Sequence, residues 1–183
     1  MTATRSATQP EPRPHPTRPL GALPRGYARL VQRLGHGRWF AVALRQLGGA
    51  RLDAALYRRT GGRLSIAGPA LFPVLLLTTI GRRTGRPRTT PLIYVRDRER
   101  LVVSSESFGQ TRAAAWPLNL AADPRVTVQL GAACSTFHAR PATDEEAARL
   151  WPRLVAAWPA HETYRRRSGM RQVFVLEPAD PAA

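Results

Sequence analysis

The sequence contains no lysine and only one cysteine, and both absences narrow what the protein can do. All 28 basic residues of the 183-residue chain are arginine, and 12 acidic residues leave a formal net charge of +16. With Cys134 alone, an intrachain disulfide and a cysteine-rich metal site are excluded. Cys134 lies in an apolar–polar alternation, which predicts a small core or strand residue. This cysteine usage fits a reducing cytoplasm.

Long apolar runs and clusters of metal ligands are also missing. Residues 1–24 have no apolar core such as a signal peptide needs, and no stretch reaches the ~20 apolar residues of a membrane span. The sequence shows no paired carboxylates and no nucleophile–base triad. The four histidines are scattered along the chain, so no metal site is predicted.

The arginine excess by itself says little about the partner. Such a charge suits nucleic acid or an anionic membrane. However, an all-arginine composition with abundant alanine and proline is typical of a GC-rich genome, which raises arginine on solvated faces for reasons unrelated to function. The chain lacks the interleaved aromatic and basic residues that stack bases. We therefore predict no nucleic-acid partner.

Three segments follow one another along the chain. Residues 1–24 form a proline- and arginine-rich arm that we expect to be disordered. Residues 25–64 carry apolar residues at helical spacing, flanked by arginines. This amphipathic segment is predicted to cover the core as a helical layer, although its arginines would also suit an anionic bilayer. Residues 65–180 are rich in predicted strands.

The third segment alternates short strands with inserted helices. Helices are predicted at Trp116–Ala122, at Asp144–Trp158 after a Thr143 cap, and at His161–Ser168. The predicted strands are Val74–Ile80, Arg88–Arg96, Leu101–Ser105, Val126–Leu130, Cys134–Arg140 and Val173–Leu176. Because regular helices do not separate the strands, the fold class is α+β: a small, mostly antiparallel barrel of about six strands with N-terminal helices and helical insertions.

An arginine-rich loop follows the first strand. Arg82, Arg83, Arg86 and Arg88 surround a turn that contains Gly81 and Gly85. The glycines permit backbone conformations in which successive N–H groups converge on an anion, and guanidinium groups fit phosphate or carboxylate oxygens. The loop is therefore predicted to hold a polyanion.

Several motifs, in this order, resemble the deazaflavin-dependent nitroreductase family of split β-barrel proteins. The first reads Leu-Leu-Thr-Thr-x-Gly-Arg-x-Thr-Gly-x-Pro-Arg. The motifs that carry the resemblance are Leu76–Arg88, Pro91–Tyr94, Trp116–Leu120, Asp123–Val128 and Leu150–Val155. The resemblance covers roughly residues 50–178 and implies an actinobacterial type of protein with a split β-barrel fold.

The resemblance also implies the cofactor, the deazaflavin coenzyme F420, whose tail carries a phosphodiester and a string of glutamates. Two departures from the family's usual Ser-Lys-Gly-Gly pattern, Glu106 and Ser107, are expected to oppose phosphate binding. The positions that the resemblance assigns to the coenzyme are Arg82, Arg83, Thr84, Gly85, Arg86, Pro87, Arg88, Ser104, Ser105, Glu106, Ser107 and Trp116.

The implied activity is hydride transfer from reduced F420 to a quinone or nitro compound. Tyr164, His161 and Trp158 are the candidate catalytic residues, although a lone histidine such as His161 is more often exposed and the aromatics more often pack in a core. FMN as the cofactor and a family member that has lost its coenzyme and acts as a binding protein remain alternatives. A small-molecule acceptor, a homodimer and contact with the inner face of an anionic membrane are the expected partners.

Overall fold

The computed structural model describes residues 49–61, 72–109, 113–169 and 172–179. The predicted arm of residues 1–24 and residues 25–48 and 62–64 of the helical segment lie outside this part of the chain. The helices are α1 (Gly49–Arg59), α2 (Ala115–Ala122), α3 (Asp144–Ala157) and α4 (Ala160–Ser168). The strands are β1 (Val74–Ile80), β2 (Pro87–Asp97), β3 (Arg100–Ser105), β4 (Arg125–Leu130), β5 (Ala133–Pro141) and β6 (Gln172–Pro178).

The six strands form a closed barrel in the order β1-β2-β3-β6-β5-β4, and every pair of neighbours is antiparallel. The predicted α+β fold class is therefore confirmed. Each predicted strand is present, and most are longer than predicted by one or two residues because the ladder continues past the apolar run that marks the strand in sequence. Cys134 lies in β5 as expected, but it is exposed and does not belong to the core.

Apolar side chains from all six strands fill the barrel interior, and α2 closes one end of it. Trp116 and Leu120, four residues apart on the same face of α2, both enter the interior cluster. The Trp116 ring packs edge-to-face on Phe174 with the centroids 5.0 Å apart. Trp116 thus has a packing role in the core, and its helix is fixed to the barrel by that burial.

Strand β2 is shared unequally between its two neighbours. Residues 87–93 pair with β1, whereas only Tyr94–Asp97 pair with β3. β3 ends at Ser105 and the chain leaves the sheet through a short 3-10 turn, Ser107–Gly109. In the described part of the chain, the first half of β2 therefore has a strand partner on one side only. The barrel wall is split beside the arginine loop.

Helices α1 and α4 cover the outer face of β1 and β2. Tyr57 fixes α1 to the barrel, because its hydroxyl donates to the carbonyl of Val74 at 3.0 Å and accepts from the N–H of Gly131 at 3.0 Å. Trp158 packs edge-to-face on Phe72 with the ring centroids 4.6 Å apart. Within the predicted helical segment of residues 25–64, α1 is the described part, and it packs on the barrel.

An ion-pair network joins α3 to the opposite end of the barrel. Arg149 donates two hydrogen bonds to Asp97, which Arg100 also contacts at 2.6 Å. Arg140 donates two hydrogen bonds to Glu146, whose side chain also completes the capping box of α3. These partners hold the pKa of Asp97 well below its usual range and lower the pKa of Glu146 to about 2. The network orders this end of the fold.

Candidate functional site

The arginine loop between β1 and β2 is closed by its own backbone. The N–H of Gly81 donates to the carbonyl of Arg86 at 2.9 Å, and the N–H of Gly85 donates to the carbonyl of Gly81 at 2.8 Å. Gly85 has a φ of +63°, which favours glycine. A Cβ on Gly81 would lie 2.9 Å from the hydroxyl oxygen of Thr84. The loop is thus a tight, defined turn that requires both glycines.

The backbone of the loop has few N–H groups to offer a ligand, contrary to the prediction from sequence. Its N–H donors bond instead to other groups of the protein, and Pro87 has none. The N–H groups so engaged belong to Gly81, Arg82, Thr84, Gly85 and Arg86. Closing so short a turn engages the N–H donors of the turn itself, and the spacing of residues in the sequence does not reveal this. Anion binding by this loop therefore depends on the side chains.

The four arginine side chains of the loop are exposed, and none has a carboxylate within 4.0 Å in the described part of the chain. Several other arginines are paired, such as Arg100 and Arg149 with Asp97 and Arg140 with Glu146. The loop therefore concentrates positive charge that the protein itself does not neutralise. Such a cluster attracts a ligand with several negative charges.

Asn119 of α2 holds the loop in place, a role that sequence reasoning missed. Its amide oxygen accepts from the N–H of Arg82 at 3.2 Å, and its amide nitrogen donates to the hydroxyl of Thr79 at 3.0 Å. Asn119 is only 3% exposed. The available signal was a polar residue on the same helical face as Trp116 and Leu120, where only apolar residues are expected.

The same helix begins beside the second half of the predicted site. The N–H of Ala114, just before α2, donates to the hydroxyl of Ser107 at 2.8 Å. Ser107 has a φ of +50°, so the turn after β3 has a backbone conformation uncommon for this residue type. From Ala114 to Asn119 the helix rises about 7.5 Å. Helix α2 therefore sets the spacing between the arginine loop and the 3-10 turn.

Glu106 is buried against α4. It is 4% exposed, and its Oε2 lies 2.9 Å from Nδ1 of His161. The hydroxyl of Ser104 lies 3.3 Å from the same nitrogen. Ser105, the last residue of β3, is buried as well. The carboxylate of Glu106 is engaged with α4, and its effect on phosphate binding stays a prediction.

The three candidate catalytic residues lie together and are all buried. His161 is 7% exposed, which corrects the expectation that a lone helical histidine is exposed; Trp158 and Tyr164 belong to the cluster beneath α1. The indole of Trp158 hydrogen-bonds the phenol of Tyr164, and burial raises the pKa of Tyr164 to about 12. Glu106 interacts electrostatically with the same phenol. One buried group thus combines Glu106, His161, Trp158 and Tyr164.

No group of three His, Cys, Asp or Glu side chains among the described residues could hold a metal ion. No helix in the described ranges is long and apolar enough to cross a membrane.

Comparison with known proteins agrees with this geometry. The family model described as F420H(2)-dependent quinone reductase matches residues 49–178. The chain is 39% identical over 103 residues to a Mycobacterium tuberculosis protein named F420H(2)-dependent quinone reductase, covering 55% of this chain and 69% of that relative.

Two solved structures are similar to the barrel. A structure described as an F420-H2 dependent reductase, FDR-A, superposes with a TM-score of 0.53 and 29% identity, covering 57% of this chain and 94% of the other. A second, described as a domain-swapped dimer, has a TM-score of 0.55 and 26% identity, covering 73% of this chain and 96% of the other.

These matches name coenzyme F420 and give no support to the FMN alternative. The family match agrees with the order of motifs, with the six-strand barrel and with the uncompensated arginine loop. The chain therefore belongs to the F420H(2)-dependent quinone reductase family and is an oxidoreductase whose cofactor is coenzyme F420.

Proposed function

We propose that the arginine loop binds the anionic tail of coenzyme F420 and that the buried group around His161 serves the quinone-type acceptor. The observation that carries this proposal is the set of four exposed arginines without a carboxylate partner among the described residues. A phosphodiester and several glutamates supply the complementary charge. Arginine forks bind such oxygens through paired, charge-assisted hydrogen bonds.

The residues present fit this coenzyme. The loop is rigid, because its backbone bonds and Asn119 fix it before any ligand arrives, so binding need not order it. Helix α2 sets the spacing between the loop and the 3-10 turn, and Ser107 and the start of α2 lie on the far side of that space. Residues 87–93 of β2, which pair with β1 only, lie between the loop and the 3-10 turn. An elongated ligand along this edge would place its charged tail at the loop and its ring toward the 3-10 turn.

The chemistry divides between coenzyme and protein. When bound, the reduced deazaflavin supplies a hydride. The chain orients the ring and the acceptor, excludes water and provides a proton. Trp158 and Tyr164 offer apolar ring surface, and His161 offers a ring nitrogen with no hydrogen-bond partner in the described part of the protein. A flat, conjugated quinone suits such a wall of aromatic side chains.

Fluorescence titration with coenzyme F420 tests the arginine loop. Arg83→Ala and Arg88→Ala are each expected to raise the Kd by about 10- to 100-fold, because each removes a charge-assisted hydrogen bond worth about 1.5–3 kcal/mol. Arg96→Ala is the matched control: it removes the same charge from the exposed far end of β2, and its Kd should match that of the parent protein.

A ring-only analogue sharpens the result. The deazaflavin nucleoside without phosphate and glutamates should bind the parent protein and both loop variants equally. If Arg83→Ala and Arg88→Ala behave like Arg96→Ala with the complete coenzyme, the loop does not bind the tail. Consumption of a naphthoquinone by the parent protein with reduced F420 then tests the acceptor class.

We propose a homodimer as the working assembly. Support comes from the one-sided half of β2, which leaves strand hydrogen-bonding groups without a partner in the described part of the fold, and from the similar structure described as a domain-swapped dimer. Light scattering after size-exclusion chromatography should give twice the 20.2 kDa chain mass. A monomer at micromolar concentration would contradict the proposal.

We also propose that the protein acts in the cytoplasm and contacts the inner face of an anionic membrane through α1. Leu52 is 65% exposed on this helix, and Arg58 and Arg59 are exposed at its end. Apolar and cationic groups on one helix support interfacial binding. Co-sedimentation of the protein with anionic vesicles that is weakened by Leu52→Ser would support the proposal. The proposal would be contradicted if the protein sedimented equally with neutral and anionic vesicles, or did not sediment with either.

A further inference from the structure

Glu106 and His161 each keep one buried polar atom without a hydrogen-bond partner among the described residues. Oε2 of Glu106 contacts Nδ1 of His161, whereas Oε1 of Glu106 and Nε2 of His161 contact no polar group there. An unsatisfied buried polar atom costs about 1–3 kcal/mol. Two such atoms in one hydrogen-bonded pair lower the stability of the fold and call for a functional explanation.

The contact with Glu106 fixes which ring nitrogen of His161 can exchange a proton. A carboxylate only accepts hydrogen bonds, so the 2.9 Å contact requires the hydrogen to lie on Nδ1. Ser104 lies further from the same nitrogen, at 3.3 Å. With Nδ1 committed to the carboxylate, Nε2 is the nitrogen left to gain and lose a proton.

We propose that His161 delivers the proton to the quinone-type acceptor from Nε2 and that Glu106 is its positioning residue. This inference rests on the proposed function. A quinone becomes a quinol by taking one hydride and one proton. The hydride comes from the reduced coenzyme, and the Nε2–H bond breaks as the new O–H bond forms on the acceptor. Oxidation of the reduced coenzyme would release one proton, which balances the proton that the ring gives up.

Tyr164, the other candidate donor, is less suited to this step. Burial raises its pKa to about 12, and its phenol already bonds with the indole of Trp158. The charged groups that act on it are Arg167 and Glu106. A proton donor works best when its pKa lies near the working pH, and the pKa of Tyr164 lies far above it. Tyr164 packs in the buried cluster beneath α1.

Steady-state kinetics of single and double variants tests the pair. His161→Gln is expected to lower kcat about 100-fold, the usual size of a lost general acid. Glu106→Gln should lower it about tenfold, and the double variant should be no worse than His161→Gln because Glu106 acts through His161. The matched control is Glu162→Gln, the same change on the same helix in a residue paired with Arg165, and it should keep kcat.

A measurement on the protein without coenzyme separates this inference from the proposed function. With ¹⁵N-labelled histidine, the chain has only four imidazoles, and the His161 signals are those missing from His161→Gln. The parent protein should show a hydrogen on Nδ1 of His161, and Glu106→Gln should shift the population toward Nε2–H. Once His161→Gln has assigned the signals, this spectrum of the parent protein decides the question even if Glu106→Gln fails to fold.

Three results would overturn the inference. They are a neutral Nε2–H tautomer in the parent protein, an unchanged kcat in Glu106→Gln, and losses that multiply in the double variant. Failure of the proposed function looks different: the parent protein would not bind coenzyme F420 in the fluorescence titration. In that case the proton has no reaction to serve, although the tautomer would still report whether Glu106 orients His161.

Discussion

Asn119→Ala tests whether α2 sets the position of the arginine loop. The substitution removes the hydrogen bond from the N–H of Arg82 and the hydrogen bond to the hydroxyl of Thr79. Each lost bond is worth about 0.5–1.5 kcal/mol. Thr79 is almost fully buried, so its hydroxyl is left without a partner, which raises the expected total to about 2–4 kcal/mol.

Urea unfolding measures this cost, and a double-mutant cycle assigns it. Thr79→Val replaces the hydroxyl by a methyl group of similar shape, so Asn119→Ala should cost less in that background. The difference reports the Thr79 contact, and the remainder reports the contact with Arg82. Leu118→Ala is a control on the exposed face of the same helix and should cost less than about 1 kcal/mol.

The same variant should also weaken coenzyme binding, because the loop loses the contact that fixes it before binding. We expect the Kd for coenzyme F420 to rise about tenfold, while the ring-only nucleoside binds as before. A loss below about 0.5 kcal/mol together with an unchanged Kd would refute the reasoning, since neither the buried bonds nor the loop position would then depend on Asn119.

The remaining predictions concern the loop glycine and the ion pairs of α3. Gly81→Ala places a Cβ 2.9 Å from the Thr84 hydroxyl, so the turn must open and the Kd for the coenzyme should rise, as measured by the same titration. Arg140 lowers the pKa of Glu146 from 4.5 to about 2. The ionised Glu146 carboxylate therefore contributes its full stabilisation of the fold above pH 4.5, and this contribution is lost as the pH falls toward 2. The urea midpoint should fall in that interval, and less so in Glu146→Gln.

Local patterns were sufficient for most of the secondary structure. Short β-branched and apolar runs bounded by turn residues located the strands to within one or two residues, because burial and the turns act over a few positions. Thr143 and Glu146 stand three residues apart and form the capping box that their spacing indicates. The arginine loop was likewise visible, since its glycines and arginines are contiguous.

Contacts between distant segments were not predictable in this way. His161 and Glu106 are 55 positions apart, and one histidine in a polar helix gives no sign that it is buried against a carboxylate. The bonds of Asn119 to Arg82 and Thr79 likewise depend on how α2 is packed into the barrel end. The sequence predicted that backbone N–H groups of the loop would bind an anion, but these groups form hydrogen bonds that close the turn itself.

By itself, the sequence determined the α+β barrel, the family and the concentration of arginine in the loop, because apolar periodicity, turn residues and arginine content are local properties of the chain. Only the tertiary structure decided where these groups act. The barrel is closed, but only Tyr94–Asp97 of β2 pair with β3, which leaves the first half of β2 beside the loop with one strand partner. The packing of α4 brings His161 onto the buried carboxylate of Glu106. Burial and hydrogen-bond partners arise from that packing, which no short stretch of sequence encodes.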